Sequence, residues 1–166
     1  MNRMACLALV VFSWPALALA QTSVFLVRHA ERADRAAGAS AMMAADPDLS
    51  AAGRGRAASL ATALKDAGIT AIFATQFKRT QQTAEPLAAA VGVKVVTIPS
   101  KDTRALIAAI RAAHGNVLVV GHSDTVPDVI KGLGVETPLE IADREYDNLF
   151  VVTLNEKPTF LRLHYR

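Results

Sequence analysis

Three stretches of this chain are apolar without interruption: Val24-Phe25-Leu26-Val27, Ala71-Ile72-Phe73-Ala74 and Val117-Leu118-Val119-Val120. A strand with one face in water alternates polar with apolar residues. An unbroken run reads instead as a strand buried on both faces, the condition of a parallel sheet covered by helices. Val93 to Ile98 predicts a further strand. The segments between these runs have helical punctuation. Ser50 caps a helix to Ala67 that carries Leu60 and Leu64 on one face, is weakened in its first turns by Gly53 and Gly55, and stops at Gly68. Thr75 opens a second helix to Val91, with a kink expected at Pro86 and a stop at Gly92. Ser100 or Asp102 caps a third, to His114, and a short fourth covers Val126 to Lys131. Leu149–Leu154 and Phe160–Leu163 predict two late strands joined as a hairpin through residues 155–158. Residues 31–48 are polar and Ala-rich, contain Gly38 and Pro47, and read as a loop with at most a turn of helix. Strands alternating with helices predict an α/β domain: a three-layer sandwich, its mixed sheet largely parallel, with helices on both faces and the hairpin at one edge.

The first twenty residues are of another kind. Arg3 supplies a positive start, Leu7 to Trp14 are almost wholly apolar, and Ala18-Leu19-Ala20 is a small-x-small cleavage pattern. Residues 1–20 are therefore expected to be a signal peptide, and 21–166 a single domain in a periplasmic or secreted protein. The alternative is retention as an uncleaved anchor. After cleavage no membrane association is expected. The one cysteine, Cys6, lies in the leader, so the mature chain would have no disulfide, thiol nucleophile or thiolate metal site. The formal net charge is only +3 and the basic residues are scattered, without runs or interleaved aromatics, which argues against nucleic-acid binding. A few arginines gathered in a concave site remain compatible with so small an excess.

Ligands of open α/β sheets bind beyond the carboxyl ends of the strands. Two of the apolar runs end alike there, one in Arg28-His29 and the other in Gly121-His122. The second run leads into a helix start bearing Arg79, whose N-terminus adds backbone donors and a positive dipole end. Two imidazoles and two guanidiniums converging on one sheet edge suit a dianionic tetrahedral group such as phosphate. Other candidates carry less. Glu31 reads either as an orienter of the pocket arginines or as a solvated loop carboxylate. His114 suits a last helical turn, and His164 reads as structural. Asp46 and Asp48 have no third ligand nearby and read as a solvated loop. No metal site or other cofactor is expected.

These residues lie in a recognisable set. Arg28-His29-Ala30-Glu31 resembles the Arg-His-Gly/Ala-Glu signature of the histidine phosphatase superfamily, which includes the phosphoglycerate mutases. Leu49-Ser50-Ala51-Ala52-Gly53 is similar to the family's Leu-Ser/Thr-x-x-Gly helix start. Arg79-Thr80-Gln81-Gln82-Thr83-Ala84 is similar to its Arg-Thr-x-Gln-Thr-Ala segment, and Gly121-His122-Ser123 to its second histidine motif. The resemblance spans residues 24–123. It implies a phosphoglycerate mutase-like fold and a metal-independent phosphatase in which His29 becomes a phosphohistidine while Arg28, Arg79 and His122 grip the phosphoryl oxygens. The substrate would be a phosphorylated small molecule or a phosphoprotein. The proton donor to the leaving group stays open between Asp102, which also reads as a helix cap, and Asp124, or none where the leaving group is activated. The rival readings are a mutase-type phosphotransferase and a non-catalytic phosphate- or phosphoprotein-binding module. Oligomeric state is not legible.

Overall fold

The computed structural model describes residues 21–35 and 46–165. The leader at 1–20 lies outside the described residues, as does the middle of the 31–48 loop. The elements are β1 (Thr22–Arg28), a 3-10 turn (Ala33–Arg35), α1 (Ala51–Leu64), β2 (Ile69–Ala74), α2 (Lys78–Val91), β3 (Val95–Thr97), α3 (Thr103–Ala112), β4 (Asn116–Gly121), α4 (Thr125–Gly132), β5 (Asn148–Leu154) and β6 (Thr159–His164). They form one six-stranded sheet in the order β3-β2-β4-β1-β5-β6. The first four in that order are parallel, while β5 runs antiparallel to β1 and β6 antiparallel to β5.

The unbroken apolar runs are explained by cover on both sides. Val24, Leu26, Val117 and Val119 pack with Ile110 of α3 and Val126, Val129 and Ile130 of α4. Their alternates Val27, Leu118 and Val120 pack with Leu60 and Leu64 of α1 and Ala84 and Leu87 of α2. The architecture is the expected mixed α/β sandwich, with helices on both faces of the sheet.

Several boundaries differ from the sequence reading. The second helix begins at Lys78, not Thr75, which is buried just beyond the end of β2. The helix runs through Pro86 to Val91, and Gly92 ends it with a positive φ of 70°. The third strand shrinks to Val95–Thr97 because it is the sheet's edge: Val96 is half exposed and pairing is one-sided. Asp102, not Ser100, caps α3, its carboxylate accepting from Ala105 N at 2.9 Å. Asp46 and Asp48 are not simply solvated. Asp46 accepts from Lys78 N at 3.0 Å, capping α2 from a distant segment, and Asp48 accepts from Gln82 Nε2 at 2.9 Å.

Strand register positions the functional edge. Arg28 pairs opposite Gly121, and Ala74 opposite Val120. The residues that follow, His29, His122 and Thr75, therefore leave three adjacent parallel strands at one level. Gly53 holds the start of α1 against this edge, since a Cβ there would sit 2.3 Å from the Glu31 carbonyl oxygen. Ser50 locks the same junction: its N–H donates to Glu31 O at 2.8 Å and its hydroxyl accepts from Gly53 N at 3.0 Å.

Candidate active site

Arg28, His29, Arg79 and His122 line one open pocket of about 480 Å³ beyond the carboxyl ends of β1, β2 and β4. His29 and His122 are almost fully buried, and their rings meet edge to face with centroids 5.4 Å apart. His29 Nδ1 lies 2.8 Å from the carbonyl oxygen of Ala30. A carbonyl only accepts, so Nδ1 carries the proton and Nε2 is left with its lone pair. Backbone contacts hold the ring's base: His29 N donates to Gly121 O at 2.9 Å, and Ala30 N to the Thr83 hydroxyl at 3.0 Å.

Both imidazoles are kept neutral. Burial is the larger cause in each case. It pushes His29 down to about 3, helped by His122, Arg79 and Arg28 and opposed by the bond to Ala30. It pushes His122 down to about 4, helped by Arg79 and Arg28 and opposed by Asp124. Desolvation and neighbouring cations both disfavour a charged ring, so near neutral pH each nitrogen lone pair is available.

The arginines are held from behind. Arg28 Nη1 donates to the carbonyls of Ala142, Asp143 and Glu145 at 3.0, 3.1 and 3.4 Å, and its guanidinium lies 4.3 Å from the Tyr146 ring centroid. Arg79 lies 4.4 Å from the Phe77 ring centroid, with Nη1 3.8 Å from the Asp46 carboxylate. In both, Nε is buried and lacks a hydrogen-bond partner. A buried unpaired donor costs roughly 1–3 kcal/mol. Each aromatic also touches a histidine, Tyr146 facing His29 and Phe77 facing His122. Sequence reading missed Tyr146 and Phe77. Tyr146 lies in an irregular loop without a motif. Phe77 was counted inside a helix that in fact starts one residue later.

Each residue from Arg79 to Ala84 has a partner or a packed place in the fold. Arg79 enters the pocket. Thr80 bonds Thr75 and the Phe77 carbonyl. Gln81 donates to Thr75 O at 2.6 Å, and Gln82 accepts from Leu49 N at 2.8 Å. Thr83 accepts from Ala30 N, and Ala84 is wholly buried. Glu31 corrects the expectation for it. It is neither an orienter of the pocket arginines nor a solvated carboxylate, because it forms a bidentate pair with Arg56 of α1 at 2.7–2.9 Å. Of the two donor candidates, Asp124 lines the pocket and Asp102 lines an adjoining, largely apolar crevice between α3 and α4 that shares Ser100 and Thr125 with it. His114 is exposed after α3, and His164 faces Asp147 at 3.3 Å on β6. Among the described residues, no three His, Cys, Asp or Glu side chains gather as a metal site.

Fold and site together define an α/β protein with a cationic anion pocket surrounding an unprotonated imidazole nitrogen. Residues 24–100 match the model of the histidine phosphatase superfamily, branch 1. That segment, with the Arg28-His29 and Arg79 motifs in it, is similar to the histidine phosphatase superfamily. A 76-residue stretch is 42% identical to the Yersinia enterocolitica protein named "Probable phosphoglycerate mutase GpmB", covering 46% of this chain and 35% of that one. The match thus spans about a third of that relative's length. The structure of the protein histidine phosphatase SixA complexed with tungstate is similar at TM-score 0.67 and 23% identity, over 86% of this chain and 96% of the other. The alpha-ribazole phosphatase from Shigella flexneri is similar at TM-score 0.69 and 17% identity, over 86% and 96%. At such identities the structural likeness speaks for the fold.

Proposed function

We propose that this protein is a metal-independent phosphatase that moves a phosphoryl group from a phosphomonoester or phosphoprotein to His29 and then to water. The observation that carries this reading is the His29 Nδ1 to Ala30 O bond, which leaves Nε2 bare inside the arginine pocket. Phosphoryl transfer depends chiefly on in-line positioning and charge neutralisation, and Arg28 and Arg79 are placed to supply both. Nε2 attacks phosphorus while the bond from phosphorus to the leaving oxygen breaks, and the leaving oxygen takes up a proton from Asp124 on the pocket wall or, where the leaving group is activated, from water after it has left. Water then attacks the phosphorus of the phosphohistidine, the P–N bond breaks, and inorganic phosphate leaves. The phosphatase names of the SixA and alpha-ribazole phosphatase neighbours are in keeping with this chemistry. The open pocket suits bulky substrates, protein-borne phosphate included.

Rapid quenching without acid, in the presence of EDTA, should trap phosphate on His29 in a linkage stable to alkali and lost in acid. His29→Ala should abolish turnover of an aryl phosphate while inorganic phosphate still binds. Near-normal turnover by that variant, or activity lost in EDTA and regained with Mg²⁺, would falsify the reading.

A further inference from the structure

The hydroxyls of Thr75 and Thr80 link His122 to the backbone, and the direction of that chain can be worked out. Thr80 Oγ1 lies 2.7 Å from the Phe77 carbonyl oxygen and 3.0 Å from that of Thr75. Neither carbonyl has a proton to give. Two oxygens 2.7 Å apart repel unless a proton lies between them, so the single hydroxyl proton of Thr80 points at a carbonyl. Thr80 Oγ1 is then an acceptor towards Thr75 Oγ1, 2.9 Å away, and Thr75 must be the donor. Having used its one proton, Thr75 Oγ1 can only accept from His122 Nε2, at 3.0 Å. All three side chains are buried, so water does not compete readily for these bonds.

His122 Nε2 therefore carries the proton, and Nδ1 is bare. Nδ1 has no hydrogen-bond partner among the described residues and is not sealed from the pocket. The pocket so holds two imidazoles of opposite tautomer, His29 with Nε2 bare and His122 with Nδ1 bare. A bare Nδ1 repels a fully ionised phosphoryl oxygen but accepts from one that bears a proton.

We propose that Thr75 and Thr80 are positioning residues that fix the Nε2–H tautomer of His122, so that its Nδ1 takes the proton of a singly protonated phosphoryl group as the group binds. The step balances simply. An oxygen–hydrogen bond of the phosphoryl group breaks, an Nδ1–H bond forms, and a monoanion beside a neutral ring becomes a dianion beside an imidazolium. The imidazolium, with Arg28 and Arg79, then faces the dianion with donors on every side. The charged groups that bear on His122 are Arg28 and the neutral His29 following β1, Arg79 on α2 and Asp124 capping α4. Burial, Arg79 and Arg28 favour the neutral ring before ligand arrives, and Asp124 opposes them. The incoming phosphoryl charge reverses that balance.

The inference rests on the phosphate pocket of the proposed function, but its test does not depend on turnover. In protein labelled with ¹⁵N-histidine, the His122 ring signals are those missing from His122→Gln. Free wild type should show a protonated Nε2 and an unprotonated Nδ1. Inorganic phosphate at neutral pH should convert the ring to the doubly protonated form. Its affinity should fall as pH rises through the second ionisation of phosphate. Thr75→Val should abolish the single tautomer, and Thr75→Ser should restore it. A protonated Nδ1 in the free wild type, or a ring still neutral with phosphate bound, overturns the proposal even if no threonine variant folds. The predicted tautomer together with no hydrolysis of any phosphate ester would uphold this wiring and overturn the phosphatase reading alone.

Discussion

At the scale of single residues, the site depends on histidines kept neutral by burial, and this has a measurable cost. In the unfolded chain both titrate near 6.5. In the folded protein His29 is held at about 3 and His122 at about 4. Below pH 6.5 the unfolded state therefore binds protons that the folded state does not, so this contribution to stability is complete above that pH and is lost as pH falls towards 4. Each group contributes a slope of at most about 1.4 kcal/mol per pH unit. Urea unfolding at pH 7 and pH 5 should show stability falling by about 4 kcal/mol for the two histidines together, and His122→Gln should roughly halve the dependence; equal slopes in the two proteins would exclude His122 as a source. A second prediction separates the carboxylates. Asp102→Asn should leave turnover unchanged, since the residue caps a helix outside the pocket and asparagine caps nearly as well. Asp124→Asn should slow an alkyl phosphate more than nitrophenyl phosphate, by a factor on the order of 10²–10⁴ if Asp124 supplies the leaving proton. Equal slowing of both substrates would remove it from that role.

At the scale of elements, the sequence was most readable where one local rule suffices. Unbroken apolar runs marked β1, β2 and β4, and the residues at the ends of β1 and β4 placed His29 and His122 beyond them. The rest depended on partners far along the chain. Glu31 meets Arg56 across 25 positions, Asp46 caps a helix 32 positions away, and Arg28 is clasped by carbonyls 114–117 positions on. No periodicity encodes such pairings. Thr75 suits an N-cap by type, but its hydroxyl is taken up by His122 and Thr80 and α2 starts at Lys78. The junction of α1 with Glu31 offers a direct check. Gly53→Ala must displace backbone rather than a pliable side chain, so a loss of roughly 1–3 kcal/mol is expected in chemical denaturation, together with lower activity from a shifted β1 terminus. Gly55→Ala, with nothing within 4 Å, should instead stabilise the helix by up to about 1 kcal/mol. Similar effects at both glycines would show that close packing at Gly53 is not what matters.

At the scale of the whole molecule, the pocket draws on β1, β2, β4 and the loop before β5, and the sheet carries it without a covering domain among the described residues. No described helix is long and apolar enough to cross a membrane. Export is proposed from the leader pattern alone, and mass spectrometry of extracytoplasmic protein should find a chain beginning at Gln21. Intact Met1 in a soluble cytoplasmic fraction would refute it. The strand order has a consequence for how such a chain comes into being. β1 is the first strand to be synthesised, yet its two neighbours are residues 116–121 and 148–154. Until residues 116–121 have been made, the segment that bears Arg28 and His29 has no strand to pair with, and the clasp on Arg28 waits for residues 142–145. Contacts so distant in sequence form slowly. The pocket therefore stays unformed until β4 and the loop before β5 have been made: a chain with this topology can be threaded through a narrow channel before its site exists, which suits the export and the chemistry proposed for it.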